Sequence, residues 1–281
     1  MRNFKNIYVF LGVLLGFSAF AAEISYSINP VLSSSDSYIE VNLEVKADAD
    51  GQTALVYFDE AWGETNLFRC LYDIQVLNRK AKLKVVPEQN RIYIKSDPGE
   101  LLSIKYYVKQ DFQGLPDKSD YYRPIVNEDY FHLFGHRLFI IPEFFYDSAL
   151  SQEVEIHWEK VPFTVQHTFG AELSKTFEVT RDELLESILV GGDFRRMTRK
   201  VHGIQLHILT RGNWLQFEDE ELSEQLESII KVQRDFWNDY SDSIYTVTLL
   251  PLKSSEENYI GGTGLSRGFA SYCSNSQNSR L

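Results

Sequence analysis

The chain has 281 residues, a length that allows two domains of ordinary size. Its net charge is −12, from 28 basic and 40 acidic residues. Nucleic acids and anionic lipid surfaces both require a basic face on their partner, so this balance argues against both. The basic pairs at 195–196 and 199–200 are expected to form a solvated face. The high aromatic content, 14%, favours strands.

The first 21 residues have the pattern of a secretory signal peptide. Arg2 and Lys5 give a basic start, Ile7–Phe17 is an apolar core, and Ala19–Ala21 is a small-x-small cleavage site. The apolar run is too short for a comfortable membrane span, and no second run follows it. The sequence therefore predicts an exported protein, periplasmic or secreted, with no membrane attachment after cleavage. The alternative is an uncleaved anchor.

Residues 22–168 are predicted to form an N-terminal β-sandwich. Ser37–Val45 alternates apolar and polar side chains with the period of two that a half-buried strand requires. Turn residues separate it from further short runs, a spacing typical of a sandwich rather than a parallel sheet. These runs are Thr53–Phe58, Leu67–Leu77, Lys82–Val86, Arg91–Ile94, Leu101–Val108 and Val154–Trp158.

The stretch Asn127–Glu143 combines aromatic residues, two histidines and an aliphatic run near the end of this region. Gly135 in its middle permits a bend or a close backbone approach that no side chain would allow. His136–Ile141 is predicted to be a short, mostly buried strand. Pro142 ends it, because proline cannot donate to a strand ladder.

Residues 169–270 are predicted to begin a domain that contains helices, with a polar tail at 271–281. Thr180 and Glu183 have the spacing of a helix capping box. An apolar face then continues to Ile188 and Leu189, and the glycine pair at 191–192 is expected to end the helix.

A strand–helix–strand unit follows, as expected for the start of an α/β or α+β domain. Val201–Leu209 alternates as a strand, Asp219–Tyr240 is the longest predicted helix, and Ser243–Leu250 is the next strand. The stripe of the long helix predicted to pack on a sheet consists of Leu222, Leu226, Ile229, Ile230, Gln233, Phe236 and Trp237.

The six histidines do not form a recognisable metal motif. None begins H-E-x-x-H, in which two histidines one helical turn apart bind zinc and the glutamate activates water. His132 and His136 are four apart, but Gly135 lies between them, so they are expected to be packed and hydrogen-bonded instead. His202 and His207 are five apart in a strand-like run, which predicts opposite faces. No catalytic residue and no metal ligand is predicted in this chain.

Only two cysteines are present, which excludes a disulfide scaffold. Cys70 lies in a strand-like run and is expected to be a buried thiol, whereas Cys273 lies in the polar tail. A bridge between them is the less favoured alternative.

A glycine-rich run near the end of the chain is the candidate binding element. Gly261, Gly262, Thr263 and Gly264 lack the spacing and the lysine of a nucleotide-binding loop. The run is predicted to be an edge strand that another backbone, such as that of a substrate peptide, approaches closely.

Three landmarks carry a resemblance to a known family: Trp62-Gly63, the segment Tyr130–Glu143 and the run Asn258–Ala270. In this order and spacing they resemble the glycyl aminopeptidase family of exported zinc metallopeptidases, which often carry a PDZ domain. The resemblance implies an N-terminal β-sandwich followed by a thermolysin-like catalytic domain. It further implies that zinc is held, in a full-length relative, by an H-E-x-x-H helix after the glycine-rich strand.

The resemblance predicts that this chain is the non-catalytic front portion of such a protein, truncated before the zinc helix, and inactive alone. One departure concerns the glutamate that commonly follows the family's glycines and suits a substrate amino terminus. No carboxylate occupies residues 261–265, and Glu256 and Glu257 lie upstream, out of register. The family's preference for a free amino terminus therefore stays open here.

Two other interpretations are considered. The first is an exported binding module for glycan or peptide, with Trp62, Tyr130 and Phe131 as an aromatic platform. For Trp62 itself, in the loop Asp59–Asn66, the favoured role is to plug one end of the sandwich. The second is a decayed gene product that folds only in part and leaves the apolar stripe of the long helix exposed.

Overall fold

The protein is described by a computed structural model that covers residues 23–120, 122–253 and 259–274. The predicted signal peptide, Glu256, Glu257 and the tail after Ser274 lie outside the described residues. Within these ranges the chain is mainly β, as predicted.

Nineteen strands and four α-helices are numbered in chain order. The strands are β1 (Ile24–Val31), β2 (Tyr38–Lys46), β3 (Gln52–Val56), β4 (Leu71–Val76), β5 (Lys82–Val86), β6 (Arg91–Lys95), β7 (Leu101–Val108), β8 (Ile125–Val126), β9 (Tyr130–Phe134), β10 (Ile141–Pro142), β11 (Gln152–Trp158), β12 (Val165–His167), β13 (Ser174–Val179), β14 (Ile188–Gly192), β15 (Arg195–Val201), β16 (Ile204–Thr210), β17 (Ile244–Leu252), β18 (Ile260–Leu265) and β19 (Gly268–Ser274) within the described ranges. The helices there are α1 (Gly135–Leu138), α2 (Glu143–Tyr146), α3 (Arg181–Leu185) and α4 (Asp219–Trp237), and 3₁₀ turns cover Leu67–Cys70 and Pro87–Gln89.

The N-terminal part is a β-sandwich, which confirms the sequence-based expectation. A six-stranded sheet, in the order β13-β11-β1-β2-β7-β4, packs against a four-stranded sheet, in the order β10-β3-β6-β5. In β2 the side chains alternate between buried and half-buried, as the period of two requires. Strand β13 pairs with β11, so the first sheet includes residues on both sides of position 168.

The stretch that follows β9 corrects one prediction. His136–Ile141 is not a strand, because the chain makes the single helical turn α1 and only then pairs β10 with β3. Gly135 starts the turn: its N–H donates to the Ser187 carbonyl at 2.8 Å, and its own carbonyl accepts from Phe139 N at 2.8 Å. The close backbone approach expected of Gly135 is observed.

Two further sheets face each other across a second core. One has the order β12-β14-β9-β8 and the other the order β15-β16-β17-β19-β18. This core places β18 and β19 against the region around β9. Its buried residues are Ile125, Tyr130, Phe134, Ile188, Val190, Leu209, Leu250, Leu252, Leu265, Ala270 and Tyr272.

Helix α3 begins as predicted and ends earlier than predicted. Its capping box is present, but the helix stops at Leu185, and Ile188–Gly192 is strand β14. The apolar face assigned to a longer helix is instead buried on both sides of a strand that pairs with β9 and β12. Pairing with two neighbours outweighs the local helical periodicity.

Removing the cap of α3 is expected to lower the free energy of unfolding by about 1 kcal/mol. The Thr180 N–H and hydroxyl both donate to Glu183 Oε2 at 2.9 Å, and Thr180 Oγ1 accepts from Glu183 N at 3.3 Å. Thr180→Ala removes the hydroxyl contacts, whereas Thr180→Ser keeps them. Urea unfolding of both variants measures the difference, and equal midpoints for the two variants would show that the cap contributes nothing.

The predicted strand Val201–Leu209 is interrupted by a hairpin turn: Val201 ends β15, and β16 begins at Ile204. His202 and Gly203 form this turn with φ values of 47° and 88°. Two of the four basic residues predicted to form a solvated face connect β15 to the start of α4. Arg195 pairs with Asp219 at 2.6 Å, and Arg199 pairs with Glu220.

Helix α4 packs on the sheet through a narrower stripe than predicted. Residues spaced by four face the sheet, and of these Leu222, Ile230 and Arg234 are buried. Ile229, Phe236 and Trp237 were predicted to pack but are 50%, 75% and 74% exposed. Ile229 lies about 100° around the helix from Ile230, and Phe236 about 160° from Arg234, whereas Trp237 lies beside the packed stripe in the last residue of α4. No helix within the described ranges combines the length and apolar character needed to cross a membrane.

Candidate functional site

The glycine-rich run forms the end strand of the five-stranded sheet. Gly261, Gly262, Thr263 and Gly264 all lie in β18, which pairs antiparallel with β19 and, among the described residues, with no strand on its other side. An end strand exposes backbone N–H and C=O groups that can pair with another extended chain. The structure thus brings the four predicted residues together on one open edge.

The hydrogen-bond alternation of β18 decides which glycines face that edge. Ser274 N donates to the Tyr259 carbonyl at 2.8 Å, so this pair is bonded across the ladder. In an antiparallel pair the bonded positions recur every second residue, which places Gly261 and Thr263 toward β19. Gly262 and Gly264 therefore direct their N–H and C=O groups to the open side.

The glycines differ in how much space surrounds them. A Cβ on Gly262 would lie 2.5 Å from the Ala270 carbonyl oxygen, so a side chain is excluded there. At Gly264 the nearest atom would be Phe269 Cδ2 at 4.0 Å. Gly262 is required by packing, whereas Gly264 leaves room beside the edge.

The turn between β18 and β19 is fixed by side chains from outside the sheet. Arg267 pairs with Glu183 of α3 at 2.6 Å and with Asp242, which precedes β17, at 3.1 Å. Ser266 Oγ donates to Glu186 at 2.8 Å. These contacts hold the edge strand in one position before any ligand arrives.

A buried polar network joins β9 to the strands behind β18. His132 Nε2 lies 3.0 Å from Thr248 Oγ1 of β17, and His132 Nδ1 lies 3.2 Å from the Tyr272 hydroxyl of β19. Burial lowers the pKa of His132 to about 3, so the ring is neutral at physiological pH. The network is a structural connection between the two sheets.

The other histidines are separate from one another. His136 Nδ1 lies 3.3 Å from the Leu185 carbonyl, as expected of a packed, hydrogen-bonded histidine. His202 was predicted to lie on a strand but occupies the hairpin turn, 3.0 Å from Asp235. Arg196 lies 3.2 Å from His207 Nδ1, and burial followed by the Arg196 charge lowers the pKa of His207 to about 4.

The donor set of the described residues does not fit a zinc ion. Across 23–120, 122–253 and 259–274, no group of three or more His, Cys, Asp or Glu side chains is arranged to hold a metal. A structural or catalytic zinc site needs at least three protein ligands.

The cysteines are both buried and unpaired. Cys70 is the buried thiol that the sequence predicts, although it ends a 3₁₀ turn, and burial raises its pKa to about 12. Cys273 is not in a polar tail: it lies in β19, in the core beneath α4.

The predicted aromatic platform is not assembled. Tyr130 and Phe131 are buried, so neither can present a ring to a ligand. Trp62 is 41% exposed and stacks on Tyr122, with ring centroids 4.8 Å apart. The Trp62 and His136 rings also meet edge to face, with their centroids 4.5 Å apart, so part of the Trp62 ring is used within the protein.

Sequence reasoning missed two arginines. Arg267 fixes the turn beside β18, and nothing in the sequence identifies its two carboxylate partners. Arg234 belongs to α4 and is buried. It lies four residues after Ile230 and eight after Leu226, and this spacing is the signal that could have placed it on the face of the helix that packs on the sheet.

Two solved structures are similar to this chain. A structure described as an aminopeptidase N family protein from Idiomarina loihiensis matches with a TM-score of 0.71 and 15% identity, over 90% of this chain and 42% of that chain. An M1 zinc metallopeptidase from Deinococcus radiodurans matches with a TM-score of 0.48 and 12% identity, over 88% of this chain and 58% of that chain. A scan against protein-family models and a search of curated proteins each find no match.

The first of these matches shows the fold. This chain has the fold of part of an aminopeptidase N family protein and spans less than half of that protein's length. The mainly β fold with an N-terminal β-sandwich, which the sequence resemblance implied, is therefore observed.

Proposed function

We propose that this chain is the non-catalytic, peptide-presenting portion of an exported aminopeptidase-like metallopeptidase. The observation that carries the proposal is the open edge of β18, with Gly262 and Gly264 directed outward, in a fold shared with an aminopeptidase N family protein. Zinc, expected in a full-length relative, is not assigned to residues of this chain.

A substrate peptide would bind β18 as an additional strand. In this mode main-chain hydrogen bonds between the peptide and the edge strand give affinity. Gly262 and Gly264 each offer one donor and one acceptor to the incoming chain. The fixed turn at Ser266 and Arg267 reduces the ordering needed on binding.

The family and the localisation of the protein are proposed from the sequence. Membership of the glycyl aminopeptidase family rests on the three sequence landmarks, and periplasmic or secreted localisation rests on the first 21 residues. Because no carboxylate occupies residues 261–265, β18 itself offers no counter-charge to a peptide amino terminus. We infer that this strand recognises the peptide backbone rather than its terminus.

Replacing Gly264 with proline tests the proposal. Proline removes the outward N–H and places its ring against the incoming peptide, while the bonds of Gly261 and Thr263 to β19 are kept. Loss of one hydrogen bond and of close approach is expected to weaken binding at least about tenfold. The measurement is fluorescence anisotropy of labelled extended peptides with the mature chain.

Gly264→Ala is the matched control, because it keeps the N–H and its Cβ enters open space. Its peptide affinity should stay within about threefold of the parent. Wild-type protein that binds no extended peptide, or Gly264→Pro protein that binds as well as the alanine variant, would contradict the proposal.

A further inference from the structure

The ring of Phe269 lies across the edge strand β18, although Phe269 itself belongs to β19. In the ladder Phe269 is opposite Gly264. A Cβ on Gly262 would lie 2.8 Å from Phe269 Cε1 and 3.1 Å from Cζ, and a Cβ on Gly264 would lie 4.0 Å from Cδ2. The ring therefore extends over the two glycines that direct their N–H and C=O groups to the open side.

The face of the sheet that carries this ring is only partly covered within the described ranges. Opposite residues in a ladder point to the same face, so Gly262, Gly264 and Phe269 share one face. Ile260 lies on that face as well, because alternate residues of a strand point the same way. Phe269 is 39% exposed and Ile260 is 59% exposed. The other face is buried in the second core through Leu265, Ala270 and Tyr272.

A peptide paired with β18 would place side chains beside the ring of Phe269. Peptide residues opposite Gly262 and Gly264 would point to the same face as these glycines. Cβ atoms of opposite residues in neighbouring strands are about 5 Å apart, a gap that a leucine side chain spans and an alanine methyl group does not. Because both glycines lack a side chain, no side chain at these two positions separates the peptide from the ring.

The chemistry of this edge favours apolar peptide side chains. Neither β18 nor β19 contains a charged residue. In the turn between them, Arg267 is paired with Glu183 and Asp242. Contact with a partly exposed aromatic ring removes apolar surface of both partners from water, which stabilises the complex.

We propose that the open edge of β18 selects extended peptides that carry apolar side chains at alternate positions. Phe269 is the specificity-determining residue, because its ring contacts the peptide side chain opposite the glycines. Ile260 adds a second apolar contact on the same face. The inference rests on the peptide-presenting function proposed above and names the substrate class of that site.

The test measures the affinity of the mature chain for two labelled peptides of equal length by fluorescence anisotropy. Both have serine at every second position, and the positions between are leucine in one peptide and alanine in the other. The leucine peptide is expected to bind at least about tenfold more tightly. Equal affinities would overturn the inference and leave the proposed function standing, whereas binding of neither peptide would overturn both.

Phe269→Ser is expected to reduce the preference for the leucine peptide to within about threefold, with the affinity for the alanine peptide unchanged. Phe269→Leu keeps an apolar side chain and should keep the preference. Phe68→Ser, the same change at a phenylalanine that is 38% exposed in the β-sandwich, is the matched control and should also keep it. A Phe269→Ser protein with the full preference of the parent would overturn the role of Phe269. The comparison of the two peptides with the parent protein needs no variant.

Discussion

Replacing Gly135 with alanine is expected to lower the free energy of unfolding by about 3–5 kcal/mol, enough to prevent folding of a marginally stable chain. A Cβ at this position would lie 1.9 Å from the Leu184 carbonyl oxygen, 2.7 Å from Ser187 Oγ and 2.9 Å from the Leu185 carbonyl oxygen. Two of these atoms belong to the backbone at the end of α3. They cannot withdraw without breaking the bond from Gly135 N to the Ser187 carbonyl.

The measurement is the yield of soluble protein together with urea unfolding. Gly264→Ala is the control, because it is the same substitution at a strand position with open space around it. It should change the free energy of unfolding by less than about 1 kcal/mol. A Gly135→Ala protein that unfolds at the same urea concentration as the control would show that the contact with α3 is not required.

Acidification below about pH 6.5 is expected to destabilise the fold steeply. Burial lowers the pKa of His132 to about 3, that of His167 to about 4, and that of His136 well below the ordinary value of 6.5. At pH values between these lowered pKa values and 6.5, the unfolded chain binds protons that the folded chain does not. The stabilisation is therefore complete above about pH 6.5 and is lost as the pH falls toward 3, at about 1.4 kcal/mol per pH unit for each histidine.

Replacing His132 with glutamine measures how much of this pH dependence of stability comes from His132. The glutamine does not titrate, so the slope of the free energy of unfolding between about pH 6 and 4 should fall by about 1.4 kcal/mol per pH unit. His157→Gln is the control, because it is the same substitution at a histidine exposed on β11. Equal slopes for the two variants would show that His132 is not held neutral by burial.

Both predictions concern residues that connect neighbouring elements of the fold. Gly135 sets the distance between α1 and α3, and His132 connects β9 to Thr248 and Tyr272 in the sheet that carries β18. Changes at either residue are therefore expected to disturb the position of the open edge as well as overall stability.

Several features could be predicted from the sequence because their causes are local. A period of two in Ser37–Val45 and Leu101–Val108 is sufficient to predict strands of the sandwich, since alternation follows from strand geometry. The capping box of Thr180 and Glu183 involves residues three apart, and both contacts are present. The close approach at Gly135 followed from the absence of a side chain in an otherwise bulky, apolar stretch.

The tertiary structure decided which local preference was used and which side chains became buried. The sequence by itself determined a mainly β chain, the start of α3 and a glycine-rich strand. Only the folded arrangement ended α3 at Leu185, exposed Phe236 and Trp237, and buried Tyr130 and Arg234. The physical reason is that pairing and burial depend on neighbours distant in sequence, which a period of two or of 3.6 does not encode.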